Sequence, residues 1–138
     1  MTDSAARKLI LIADTAEGAE AVKKYLSRHH DLVLVHGLAA ATRLIANVDF
    51  DAIICGTHFD DSRMVELLRE VRRESRYSGK PFIVVRMLPT NLSADIERNT
   101  KQMAMVLGAT AYLPVDEFGG DGFSEELLLR INEAVSVS

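Results

Sequence analysis

Short β-branched runs alternate along this chain with longer stretches of helical period. Leu9-Ile10-Leu11-Ile12 opens the series. A helix is predicted next, near Ala16 to His29, with Ala19, Val22 and Leu26 on one face and Glu17, Glu20, Lys23 and Lys24 off it. Leu32 to Val35 reads as a second strand. Leu38 to Val48 reads as a second helix, with Leu38, Ala41, Leu44, Ile45 and Val48 in one stripe. Asp51 to Cys55 is a third strand. Ser62 to Tyr77 reads as one strong helix, capped by Ser62, with Met64, Leu67, Leu68 and Val71 inward. Pro81 leads into a fourth strand, Phe82 to Val85. A turn at Pro89-Thr90-Asn91 opens a fourth helix over about Ser93 to Leu107, and Gly108 is placed to stop it. Ala111-Tyr112-Leu113 is a short fifth strand, and Ser124 to Val135 closes the chain as a helix.

Strands that are apolar almost throughout are buried on both faces, as in a parallel sheet lying between helices. Right-handed crossovers then leave few topologies. The expectation is an α/β fold: a flavodoxin-like doubly wound sheet of five parallel strands in the order 2-1-3-4-5. A length of 138 residues fits one domain, 1–138, with its core over about 8–135. The segment Asp116 to Gly122 has the composition of a flexible insertion.

Charge and cysteine content narrow the classes. A net charge of −4 gives no basic footprint for nucleic acid. The lone Cys55 sits in an apolar strand and reads as a small core residue. No apolar run is long enough for a signal sequence or a membrane span, so a cytoplasmic location is expected. His29, His30, His36 and His58 are scattered and read as structural or exposed. Arg69, Arg72, Arg73 and Arg76, interleaved with Glu66, Glu70 and Glu74, read as a salt-bridged, solvated helix face. No phosphate loop and no nucleophilic triad is evident.

Ligands of such sheets bind at the carboxyl ends of the strands. Those ends read Ala13-Asp14, Gly56, Arg86-Met87 and, in the fifth, Gly108-Ala109-Thr110-Ala111-Tyr112-Leu113-Pro114-Val115. Together with the order of elements, they make the chain resemble the receiver domains of bacterial response regulators. The resemblance implies two acids after the first strand to hold Mg²⁺, an aspartate at position 56 to accept a phosphoryl group, a Thr or Ser at 86 and a Lys at 115. Here Ala13 replaces the first acid, Gly56 the acceptor, Arg86 the hydroxyl and Val115 the lysine; Asp14 remains. Mg²⁺ needs several hard oxygen ligands, and Asp14 alone is a poor site. Arg86 is therefore expected either to pair with Asp14 and lower its pKa, or to point to solvent.

The expected function is thus a phosphorylation-independent, receiver-like signalling module. It is not expected to be an enzyme or to need a cofactor. The resemblance implies protein–protein contact through the face of helix four, strand five and helix five, with another signalling protein or in a homodimer. Tyr112 matches the family's rotameric switch, and Met103 and Val106 lie beside it. An alternative is a true response regulator phosphorylated at an atypical acid, Asp60 or Asp61. A further one is a small-ligand or nucleotide-binding flavodoxin-like domain.

Overall fold

A computed structural model describes residues 7–87 and 94–114, together with Glu125, Glu126 and Leu129 in helical conformation. Val115, the 116–122 segment, the turn at 89–91 and the rest of the predicted closing helix lie outside the described residues.

Five strands form one sheet in the order β2-β1-β3-β4-β5. They are β1 (Leu9–Ala13), β2 (Asp31–Val35), β3 (Ala52–Gly56), β4 (Phe82–Arg86) and β5 (Ala111–Pro114). All four pairings are parallel, with Ala13 beside Cys55, Gly56 beside Val85 and Arg86 beside Pro114. The expected fold class and strand order are thus observed.

The two-residue period of a strand sorts the core into two layers. Leu11, Ala13, Ile53, Cys55, Val84 and Tyr112 face one side. Helices α2 (Leu38–Asn47), α3 (Met64–Arg73) and α4 (Ala94–Val106) lie over that side, through Ala41 and Ile45, Leu67 and Val71, and Ala104 respectively. Ile10, Ile12, Ile54, Ile83, Val85 and Leu113 face the other, under Ala19, Val22 and Leu26 of α1 (Ala16–Leu26). Cys55 is fully buried, as its setting suggests, and burial pushes its thiol pKa well up.

The ends of α1 are closed by side chains. Thr15 Oγ1 accepts from the Gly18 amide at 3.0 Å. Beyond its last turn, Arg7 donates to the carbonyls of Ser27, Arg28 and His30. His30 is buried rather than exposed; its Nδ1 accepts from the Lys8 amide at 3.2 Å.

The single helix predicted over Ser62 to Tyr77 is broken at both ends. Asp60, Asp61 and Ser62 all have positive φ (45°, 56° and 67°), so Ser62 cannot serve as the cap and Arg63 takes that position without a side-chain bond. At the other end Glu74 leaves the helix and Ser75–Tyr77 is a 3₁₀ turn. Tyr77 lies six residues past Val71, off the apolar face of a continuous helix. The break re-aims its ring into the core, where its hydroxyl donates to Val48 O and accepts from Phe50 N at 3.2 Å.

The arginines of this segment are also not uniformly solvated. Arg72 donates to the carbonyls of Gly108 (2.9 Å), Tyr77 (2.7 Å) and Lys80 (3.0 Å), tying together the loops that enter β4 and β5. Arg76 donates to the Ile45 carbonyl and lies over the Tyr77 ring. Arg73 pairs with Glu70 on the surface, as expected. Gly108 does stop α4, at φ 111°, with Ala109 N bonded to Ala104 O and Gly108 N to Met105 O in a Schellman arrangement.

Candidate functional site at the carboxyl ends of the strands

The strand register places Asp14, just beyond β1, beside the end of β3. Asp14 and Gly56 share parity with Ile12 and Ile54, so both address the α1 face of the sheet. The Asp14 carboxylate lies between the Cα atoms of Gly56 and Gly18. A Cβ on either glycine would overlap it. The Asp14 side chain therefore fills the volume that a residue larger than glycine would need at position 56.

Asp14 is 4% exposed. Its Oδ1 accepts from the Thr15 amide at 2.7 Å, and its backbone carbonyl accepts from Nδ1 of His36 at 3.0 Å. A carbonyl can only accept, so His36 carries its proton on Nδ1 in this contact. Burial raises the Asp14 pKa from 3.8 to about 6, against the opposing pull of the Thr15 amide, His58 and His36. The expected depression by Arg86 is not found; the side chains that oppose the effect of burial on Asp14 are His58 and His36.

Arg86 takes neither of the two orientations expected of it. It shares parity with Val84, so its side chain leaves the sheet on the face opposite Asp14. There it is buried, and its Nε donates to Oε1 of Glu97 on α4 at 2.9 Å. The same oxygen accepts from the Tyr112 hydroxyl at 3.1 Å. Tyr112 is 9% exposed, and burial followed by the adjacent Glu97 charge raises its pKa to about 12. Glu97 escaped the sequence reading because its spacing to Lys101 suggests a surface pair on one helix. An arginine in a buried strand was the signal that an acid must come from elsewhere.

The anticipated pocket thus divides. Ala13 belongs to the hydrophobic layer under α2 and α3. Asp14 and Gly56 meet on the α1 face, while Arg86 and Tyr112 meet on the other. Val115 lies outside the described residues. Asp60 is turned away to α2, where its Oδ2 accepts from the Leu38 amide at 2.7 Å; Asp61 is exposed. Met103 and Val106 are 50% and 84% exposed on α4, with Ile96 and Met105 also exposed.

The donor set does not fit Mg²⁺, which calls for several oxygen ligands. Asp14 offers one carboxylate, already bonded to the Thr15 amide, and Gly56 and Arg86 offer none. Among the described residues, no three His, Cys, Asp or Glu are grouped to hold a metal, and no helix is long and apolar enough to cross a membrane.

No family model matches the chain. Chemotaxis protein CheY homologues of Campylobacter jejuni are 32% identical to it over 81 residues. That stretch is 56% of this chain and 62% of theirs, so the chain spans about three fifths of the curated relatives it matches. Among solved structures, a sensor protein from Polaromonas superposes with a TM-score of 0.73 at 22% identity, covering 95% of this chain and 98% of that one. The receiver domain of a Pseudomonas aeruginosa sensor histidine kinase, with magnesium in its active-site cleft, gives 0.72 at 19%, covering 95% and 99%. The chemotaxis response regulator CheY4 of Vibrio cholerae gives 0.70 at 18%, covering 91% and 98%. Strand order, layer arrangement and these superpositions agree that the chain has the CheY-like fold of a response-regulator receiver domain.

Proposed function

We propose that the chain is a receiver-like signalling module that works without phosphoryl transfer, through protein–protein contact. One observation carries the reading. Gly56 stands where a receiver would present its acceptor carboxylate, and the Asp14 carboxylate packs directly against its Cα. A phosphoryl group would find neither an acceptor nor the oxygens for its metal. The partner is another signalling protein or a second copy of the chain, the module is not an enzyme, and it acts in the cytoplasm. The exposed Met103, Met105 and Val106 of α4, beside β5, supply an apolar contact surface with adaptable side chains.

Incubation of the protein with acetyl phosphate and Mg²⁺, followed by intact-mass measurement, tests the reading. No increment of one phosphoryl mass is expected. An adduct mapped to Asp14, Asp60 or Asp61 refutes it. The docking face is tested separately by light scattering across a range of concentrations and by cross-linking in cell extract. Val106→Asp should weaken any self-association or cross-linked complex while leaving thermal stability unchanged. An undiminished complex removes this face from the proposal.

A further inference from the structure

Beneath α4 lies a cleft of about 470 Å³ whose lining includes Arg86, Glu97, Arg98, Lys101, Tyr112 and Pro114. Two of these three cations are engaged by acids of α4 itself: Arg86 by Glu97 at 2.9 Å, and Arg98 by Asp95 at 2.8 Å. The ion pair on the floor differs in kind from the one at the rim. The Arg86 and Glu97 side chains are 7% and 24% exposed, against 62% and 81% for Arg98 and Asp95. A screened rim pair contributes little, whereas a carboxylate that accepts two donors in a partly dry site holds them firmly.

Glu97 also joins three elements. Its Oε1 takes the Arg86 Nε from β4 and the Tyr112 hydroxyl from β5, while its backbone belongs to α4. Ala104 is the one buried residue of this helix among those described. Ile96, Met103, Met105 and Val106 face solvent instead of the core.

We propose that Glu97 is a latch, a positioning residue that docks α4 onto the sheet and holds the Tyr112 ring buried through one carboxylate oxygen. The position of α4 is then set by a side chain of the helix itself. The latch stands whether or not the α4 face docks a partner, because its evidence is the bonding of Glu97 alone.

Glu97→Ala on the full chain tests it. Alanine is a better helix former than glutamate, so any loosening of α4 cannot come from helix propensity. Amide exchange within Ala94–Val106 should quicken by about tenfold or more, since both hydrogen bonds to the Glu97 carboxylate are lost, while α1, α2 and α3 stay at wild-type rates. Glu97→Gln keeps an acceptor without the charge and should show a smaller rise. In Glu97→Gln, the Tyr112 ring, followed by carbon NMR in the labelled protein, should ionise at a pH below its wild-type value of about 12. Unchanged exchange in α4 of Glu97→Ala overturns the latch. So does an equal quickening throughout the domain, which would make Glu97 a general stabiliser.

Discussion

Replacing Asp14 by asparagine isolates the cost of keeping a charge in the floor of the strand ends. The substitution preserves shape and leaves an oxygen to accept from the Thr15 amide. Burial places the Asp14 pKa near 6 in the folded chain, against 3.8 ordinarily. For an acid, a raised folded value means that the folded state holds the proton more tightly than the unfolded state. Below about pH 4 both states carry the proton and the charge costs nothing. Between about pH 4 and pH 6 the unfolded state releases it first, so wild-type stability falls as pH rises. Above about pH 6 the full penalty is present, and the gap in pKa corresponds to about 3 kcal/mol. The neutral amide of Asp14→Asn carries no such penalty. Urea denaturation of both proteins from about pH 4 to pH 8 should give curves of equal slope. Their stabilities should coincide near pH 4 and separate by about 2–3 kcal/mol at pH 8, with the variant the more stable. A difference that does not change with pH refutes the reasoning, as does a variant less stable at pH 8. Either would mean that the buried carboxylate carries no net penalty in the folded chain.

Gly56→Ala should cost about 1–3 kcal/mol by overpacking against Asp14. In an Asp14→Ala background the loss should shrink by at least half, and a double-mutant cycle by denaturation reads the coupling. Arg72→Met keeps the stem but abandons the carbonyls of Tyr77, Lys80 and Gly108. It should cost about 2–4 kcal/mol in thermal or urea unfolding, far more than an exposed arginine would. Equal costs for Arg72→Met and for Arg73→Met, whose partner Glu70 lies on the surface, would contradict that account.

Much of the fold was legible because the strands are apolar on both faces. Leu9 to Ile12, Phe82 to Val85 and their companions admit hardly any reading except buried parallel strands. The site was legible in what it lacks, since Gly56 can be read directly. Its arrangement was harder to infer. Pairing Arg86 with Asp14 treats the strand ends as one crevice, whereas the alternation already present in Ile12-Ala13-Asp14 and Val84-Val85-Arg86 sends the two side chains to opposite faces. The run Arg69 to Arg76 carried a different ambiguity. Helical spacing cannot distinguish an arginine that faces water from one that bends back to a carbonyl, because the carbonyls of Gly108 and Ile45 belong to segments distant in sequence. The same holds for Tyr77, whose partners lie before β3.

The turn after β3 sets two adjacent aspartates in the same left-handed backbone, with different consequences. Asp61 is exposed, and glycine there should relieve part of a conformational cost of about 1 kcal/mol. Asp60 carries the same cost but closes the first turn of α2 by accepting from Leu38. Glycine at that position should loosen a helix remote in sequence, by about 1 kcal/mol in cap alone. One substitution made at neighbouring sites would thus raise the melting temperature at position 61 and leave it nearly unchanged at position 60, where the relieved bend and the lost contact offset each other. The ill-favoured bend survives because it delivers an anchor to another part of the molecule.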